Sequence, residues 1–234
     1  MKVIGLCGPK QSGKDTTLGF LKELFPSIIH VSLANKLKDV CSDVFDISRV
    51  VFDDQSLKEV PFSYFGRKVT FDGFRMAQIL TRFGLEEKII FEETKIDRFM
   101  EKNSDLVFNS ARHIAQFIGT EVLREFGNPE IHCQKLMQKM EENPEALFCI
   151  TDVRFINEIE YFKCLLQDNF FSIYIERPSV EKNITPSSHV SEKETLSLKE
   201  LALTKLDNSG TIEGLGKRIQ CLELRIKRML SLGV

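Results

Sequence analysis

Net charge is almost absent from this 234-residue chain, in which 32 Lys and Arg stand against 34 Asp and Glu for a formal balance of −2. Such a balance offers no broad electrostatic footprint for a nucleic-acid polymer, so any cationic chemistry has to be local. Long apolar runs are missing too. No stretch approaches the roughly 20 residues that a membrane-spanning helix needs, and no cleavable signal pattern precedes the first apolar segment. The six cysteines, Cys7, Cys41, Cys133, Cys149, Cys164 and Cys221, form no C-x-x-C pair, and Cys7 and Cys149 sit inside strand-like runs. They read as reduced core thiols, which argues against a disulfide framework and for a cytoplasmic protein. Repeats and low-complexity tracts are also lacking. The length suits one large α/β domain with a lid or insertion.

What the chain does have is Gly8-Pro9-Lys10-Gln11-Ser12-Gly13-Lys14-Asp15-Thr16. The run Val3 to Cys7 before it has the look of a buried parallel strand, and Asp15 to Leu24 after it reads as a helix with Leu18, Leu21 and Leu24 on one side. Strand, glycine-rich loop and helix in that order are the context of a phosphate-binding loop. Gly8 and Gly13 allow backbone torsions that let successive N–H groups face phosphate oxygens, and the helix start adds the positive end of its dipole. Lys14 then carries an ammonium to the β- and γ-phosphates. The residue after that lysine is Asp15, with Thr16 one further on, so the hydroxyl that usually meets magnesium is displaced by one. The plainer alternative is a glycine-rich turn that only joins strand to helix.

Beyond the loop, strands and helices alternate. Strands are expected at Ile28–Ser32, Ala146–Ile150, Phe171–Ile175 and about Leu201–Leu206, and helices at about 35–44, 110–126 and 129–140. A closing helix carries Leu215, Ile219, Leu222, Ile226 and Leu230 at helical spacing. Residues 46–104 mix aromatics and charges without a steady period and read as an inserted substrate-side region, partly helical. Residues 179–194, with Pro186 and paired serines, read as a loop. Alternation of this kind predicts a mostly parallel sheet with its ligands at the carboxyl ends of the strands.

Two further groups fall at informative places. Asp152 follows an expected central strand and could order a magnesium-bound water, while Arg154 could face a phosphate. An Asp and Arg that simply cap the next helix are the structural alternative. Arg112, Gln116 and Gly119 share one helical face. That face can present a guanidinium to a phosphate, an amide to a base edge and a gap to a ring, or it can be ordinary helix surface with Gly119 packed on a neighbour.

Taken in order, the Ser12-Gly13-Lys14-Asp15-Thr16 loop, Ser32-Leu33-Ala34 before Leu37-Lys38-Asp39, Arg112 to Thr120, Asp152 to Glu158, His189-Val190-Ser191-Glu192 and Asn208-Ser209-Gly210 resemble the deoxynucleoside monophosphate kinases of tailed bacteriophages. The resemblance implies a three-layer α/β/α P-loop kinase spanning 1–234; it matches no motif in 46–104, and the acceptor-side insertion at 46–108 and the lid at 178–198 are expected from the residue pattern itself. It implies transfer of the γ-phosphoryl of ATP, with Mg²⁺, to a deoxynucleoside 5′-monophosphate. The resemblance places ATP on Lys10 to Thr16, next to Gly8 that the loop's own glycine spacing points to, with Asn208 at the adenine and Mg²⁺ on Thr16; the neighbouring Asp15 is a second expected Mg²⁺ contact. Leu37, Lys38, Arg112, Gln116, Gly119, Thr120 and Arg154 fall on acceptor positions, and Lys14, Arg112, Asp152 and Arg154 on catalytic ones; Arg177 is a further catalytic candidate from its place at the head of the 179–194 loop, as a lid arginine. His189 and Glu192 match the pattern without an assigned role. The chain has no Trp, so His132 stands near the position where the family often has an aromatic residue. The implied partner is a small nucleotide, with no polymeric nucleic acid and no membrane; a homodimer is compatible, and a viral source would put the protein in host cytoplasm. A phosphomevalonate-type kinase, similar around Ser12 to Asp15 and Asp152-x-Arg154, and a non-catalytic nucleotide-binding regulator are the competing readings.

Overall fold

The structure, a computed structural model, describes residues 1–186 and 188–231; Ser187 of the expected lid and residues 232–234 lie outside the described residues. The chain opens with β1 (Lys2–Cys7), α1 (Lys14–Leu24) and β2 (Ile29–Val31). It continues through α2 (Asn35–Phe45), α3 (Arg49–Asp53), β3 (Val69–Thr70), α4 (Gly73–Arg82), α5 (Glu86–Phe91), α6 (Glu93–Lys102), β4 (Val107–Phe108), α7 (Ala111–Gln116) and α8 (Leu123–Phe126). The last part holds α9 (Ile131–Met140), β5 (Leu147–Val153), α10 (Ile156–Leu166), β6 (Phe170–Glu176), α11 (Pro178–Glu181), α12 (Val190–Leu201), β7 (Thr204–Asp207) and α13 (Ile212–Met229). It divides into two compact units, residues 1–33 with 133–234, and residues 34–132.

The first unit is built on a five-stranded sheet of order β2-β5-β1-β6-β7. Every pairing in it is parallel. Continuous apolar strands such as Val3–Cys7 and Phe170–Ile175 are buried along their length, as strands covered on both faces must be. Alternation along β1 assigns the two faces. Val3 and Cys7 pack with Cys133, Met137 and Met140 of α9, Ile159 and Phe162 of α10 and Leu198 of α12. Ile4 and Leu6 pack with Leu18 and Leu21 of α1 and Leu215, Ile219 and Ile226 of α13. Helices therefore lie on both faces of the sheet, giving the α/β/α layering expected from the sequence. Each fully buried Leu or Ile side chain contributes about 1.5–3 kcal/mol relative to exposure.

Because all five strands run the same way, their carboxyl ends share one edge. At that edge lie the Gly8–Gly13 loop after β1, Ser32 after β2, Asp152 and Arg154 at the end of β5, Arg177 after β6 and Asn208 after β7. Open parallel sheets bind ligands at such an edge.

The second unit is helical apart from the antiparallel β3 and β4. Its core is rich in phenylalanine: Phe45, Phe71 and Phe108 meet edge to face, with ring centroids 5.4 Å apart for Phe45 and Phe108 and 6.2 Å for Phe71 and Phe108. The span 111–126 is helical as expected, but it is π-helical over Phe117–Val122 between α7 and α8. The 179–194 segment departs from the sequence expectation of a loop. It begins in the one-turn α11 and ends in α12, whose first residue is Val190, because Ser191, Thr195 and Leu198 supply a buried helical stripe that the loop-like composition hides.

Candidate active site

The loop between β1 and α1 adopts the backbone that its glycines allow. Gly8 has φ 138° and Gly13 φ 106°, while Gln11 takes a left-handed φ of 65°. A side chain at Gly13 would run into the Asn208 amide as well as being strained in that conformation. Asn208 is buried and donates from Nδ2 to the Ser12 carbonyl at 2.7 Å. Arg177 donates from Nη1 to the Gln11 carbonyl at 3.0 Å. Two residues from distant strands thus hold carbonyls of this loop. Each carbonyl held in this way limits the ways the adjoining N–H groups can turn, which favours a preformed cradle over a flexible one.

Lys14 opens α1 and turns back over the loop, its ammonium donating to the carbonyls of Gly8 and Pro9, both at 2.6 Å. Burial, then the nearby Arg154 guanidinium, lower its pKa to about 8, against the opposing pull of Glu192, Asp15 and Asp152. The Ser12 hydroxyl is fully buried and has no hydrogen-bond partner. A buried cation and an unsatisfied hydroxyl in a glycine-bounded loop at a helix start fit a phosphate group. Asp15 and Thr16 are exposed in the first turn of α1, whereas Thr17 is buried and bonds the Gly13 carbonyl at 2.9 Å. Among the described residues, no three His, Cys, Asp or Glu side chains gather into a metal-holding group. Magnesium in nucleotide sites commonly takes one or two protein ligands together with phosphates and waters. Asp15 and Thr16 could supply such a pair.

Asp152 braces the end of β2: Oδ2 accepts from the Ser32 hydroxyl at 2.6 Å and Oδ1 from the Leu33 N–H at 2.8 Å. Arg154 is held at both ends. Its backbone N–H donates to the buried Glu158 carboxylate at 2.8 Å, and its guanidinium donates to Glu192 at 3.0 Å. Glu192 also accepts the Lys10 backbone N–H at 3.1 Å. The contacts made by Ser32, Glu158 and Glu192 were not foreseen from the sequence. Glu192 had only its place in a motif to mark it, while Glu158 and Ser32 lay inside matched stretches with no separate signal.

The remaining expected residues belong to the second unit. Leu37 is buried, and one of its methyls would stand 2.8 Å from a Cβ at Gly119, so these two pack on each other. The gap foreseen at Gly119 is filled by Leu37. His132 is buried with Nε2 3.2 Å from the Gly119 carbonyl. Lys38 pairs with Asp53 at 2.9 Å, and Arg112 Nε stands 2.8 Å from Glu59. The Arg112 backbone N–H donates to the Lys58 carbonyl at 2.9 Å. Gln116 and Thr120 are partly buried on either side of the junction where the helix turns π-helical.

The parallel sheet flanked by helices, with a glycine-bounded strand-to-helix loop at its carboxyl edge, defines an α/β/α fold. No protein-family model matches the chain. Across 234 residues, 95% of this chain and 97% of the other, it is 27% identical to a protein of Acanthamoeba polyphaga mimivirus whose name assigns it provisionally as a deoxynucleotide monophosphate kinase. Among solved structures, the dephospho-CoA kinase of Campylobacter jejuni aligns over 96% of this chain and 97% of its own at 12% identity, with a TM-score of 0.43. A Thermus thermophilus protein aligns over the same shares at 14% identity and the same TM-score. Among the described residues, no helix is long and apolar enough to cross a membrane.

Proposed function

We propose that this chain is a nucleotide kinase that moves the γ-phosphoryl group of ATP to a deoxynucleoside 5′-monophosphate, giving ADP and the deoxynucleoside diphosphate. The observation that carries the reading is the carboxyl edge of the sheet, where a preformed phosphate loop and the Lys14 ammonium lie with Arg154 near enough to depress the lysine. The full-length likeness to a viral chain named for this activity supports the nucleotide kinase class. The resemblance in motif order to the tailed-phage enzymes, read from the sequence, is what favours the finer choice of acceptor.

The acceptor phosphate is already an anion at neutral pH, so the reaction asks for alignment and charge cancellation more than for a strong base. In this proposal the loop N–H groups and Lys14 hold the triphosphate, and Arg154 meets the charge that develops during transfer. Arg177 secures the loop through Gln11. Mg²⁺, held by Thr16 and Asp15, would supply charge neutralisation on the phosphate oxygens. Arg112, Gln116, Thr120, Leu37 and Lys38 form the proposed acceptor set, and segment 178–198 a lid that excludes water.

The test is incubation of the purified protein with ATP, magnesium and a panel of deoxynucleoside and ribonucleoside monophosphates, deoxynucleosides and phosphomevalonate. A deoxynucleoside diphosphate is the expected product. Phosphorylation of phosphomevalonate alone would replace this reading with the metabolite-kinase one, and ATP binding without any product would replace it with the regulatory one.

A further inference from the structure

We propose that Glu192 is a positioning residue for Arg154, a role that rests on the phosphoryl-transfer reading of the site. Its carboxylate is used twice: Oε1 accepts from the Arg154 guanidinium at 3.0 Å and Oε2 from the Lys10 backbone N–H at 3.1 Å. One side chain thereby joins the arginine to the backbone of the phosphate loop. The carboxylate is largely covered, with 17% of the Glu192 side chain exposed against 33% of Arg154, so the pair is less screened than a surface ion pair.

The helix that carries Glu192 also grips the backbone around Arg154. Two residues along α12, Glu194 accepts the Ile156 N–H at 2.9 Å, and the Thr195 hydroxyl, which donates to the Ser191 carbonyl at 2.6 Å, also lies 3.1 Å from the Arg154 carbonyl. Glu158 completes the set by accepting the Arg154 and Phe155 N–H groups at 2.8 and 3.1 Å. The backbone at 154–156 is therefore fixed from two helices, and the remaining freedom of Arg154 lies in its long side chain. Glu192 removes that freedom. A guanidinium left to swing would pay its ordering entropy during each turnover, whereas one held beside the loop is ready where charge develops. A short, poorly reaching or neutral residue at 192 would leave the fold standing and the arginine unaimed.

The experiment compares wild type, Glu192→Gln, Arg154→Ala and the double variant by steady-state kinetics, ATP titration and Arg154 modification by phenylglyoxal read by peptide mass spectrometry. Glu192→Gln is expected to lower kcat about tenfold or more while changing ATP affinity less than about threefold, and to add less than about twofold on the Arg154→Ala background. Arg154 in the nucleotide-free protein is expected to react faster in Glu192→Gln than in wild type. Glu192→Asp, which keeps the charge but reaches less far, is expected to fall between them and serves if the Gln variant does not fold. Multiplying losses in the double variant, or equal Arg154 reactivity with and without Glu192, would overturn the proposal. If wild type transfers no phosphoryl group, the functional reading fails on its own, and the modification rates still decide whether Glu192 restrains Arg154.

Discussion

At the scale of single residues, Lys14 is the side chain whose chemistry is most exposed to test. Its ammonium is buried against two carbonyls and beside Arg154, which lowers its pKa from 10.5 to about 8. The sign of the consequence for stability follows from proton binding. Between about 8 and 10.5 the unfolded chain holds this proton more tightly than the folded one, so the Lys14 contribution to stability rises with pH across that window. ATP binding should run the opposite way, weakening as pH rises through about 8, because the ammonium proposed to meet the phosphates is lost. Isothermal titration at a series of pH values checks this; affinity that stays flat from pH 7 to 9 would contradict it. Lys14→Ala should reduce turnover by about two orders of magnitude or more while leaving the melting temperature unchanged or raised, since a partly uncompensated buried charge is removed. Turnover and thermal melts on the same preparation read both.

Elements decide how the loop and the proposed acceptor face are held. The phosphate loop was legible in the sequence because its signal is local: two glycines, a lysine and the switch from strand to helix all fall within a few residues. Its braces were not. Asn208 and Arg177 reach the loop from strand ends 196 and 166 residues further along the chain, and nothing in the spacing of Asn208 foretells a bond to the Ser12 carbonyl. Asn208→Ala is therefore expected to weaken ATP binding about three- to tenfold by freeing the loop, with a loss of about 1 kcal/mol in stability. Equilibrium titration and chemical denaturation measure the two effects. The α12 helix shows a different limit: Pro186 and the neighbouring serines suggest a loop, whereas the buried stripe of Ser191, Thr195 and Leu198 is too polar to stand out as an apolar face. In the second unit, Arg112→Ala should weaken use of the acceptor far more than binding of ATP. Separate titrations of the two ligands would contradict this if both affinities fell together.

For the molecule as a whole, the parallel sheet was readable because its strands are short apolar runs separated by helical periods, the pattern that doubly covered sheets impose. Residues 46–104 resisted assignment for an equally physical reason. Their elements last between two and ten residues, so no period persists long enough to be seen, and the order comes from phenylalanines that meet across the fold: Phe71 touches Phe99, Phe108 and Phe117. Such a core is specified by tertiary contact and leaves little trace in spacing. The proposed site divides along the same line, since its phosphate side is written in one contiguous motif and its acceptor side in residues scattered from Leu37 to Thr120. The central claim is that the loop holds a triphosphate so that its terminal phosphoryl group can pass to a second nucleotide. It is tested most directly by mixing the protein with γ-labelled ATP, magnesium and a deoxynucleoside monophosphate and following the label. The account predicts label in the deoxynucleoside diphosphate, lost in Lys14→Ala; label that stays in ATP or appears only as inorganic phosphate, whichever monophosphate is offered, would contradict it.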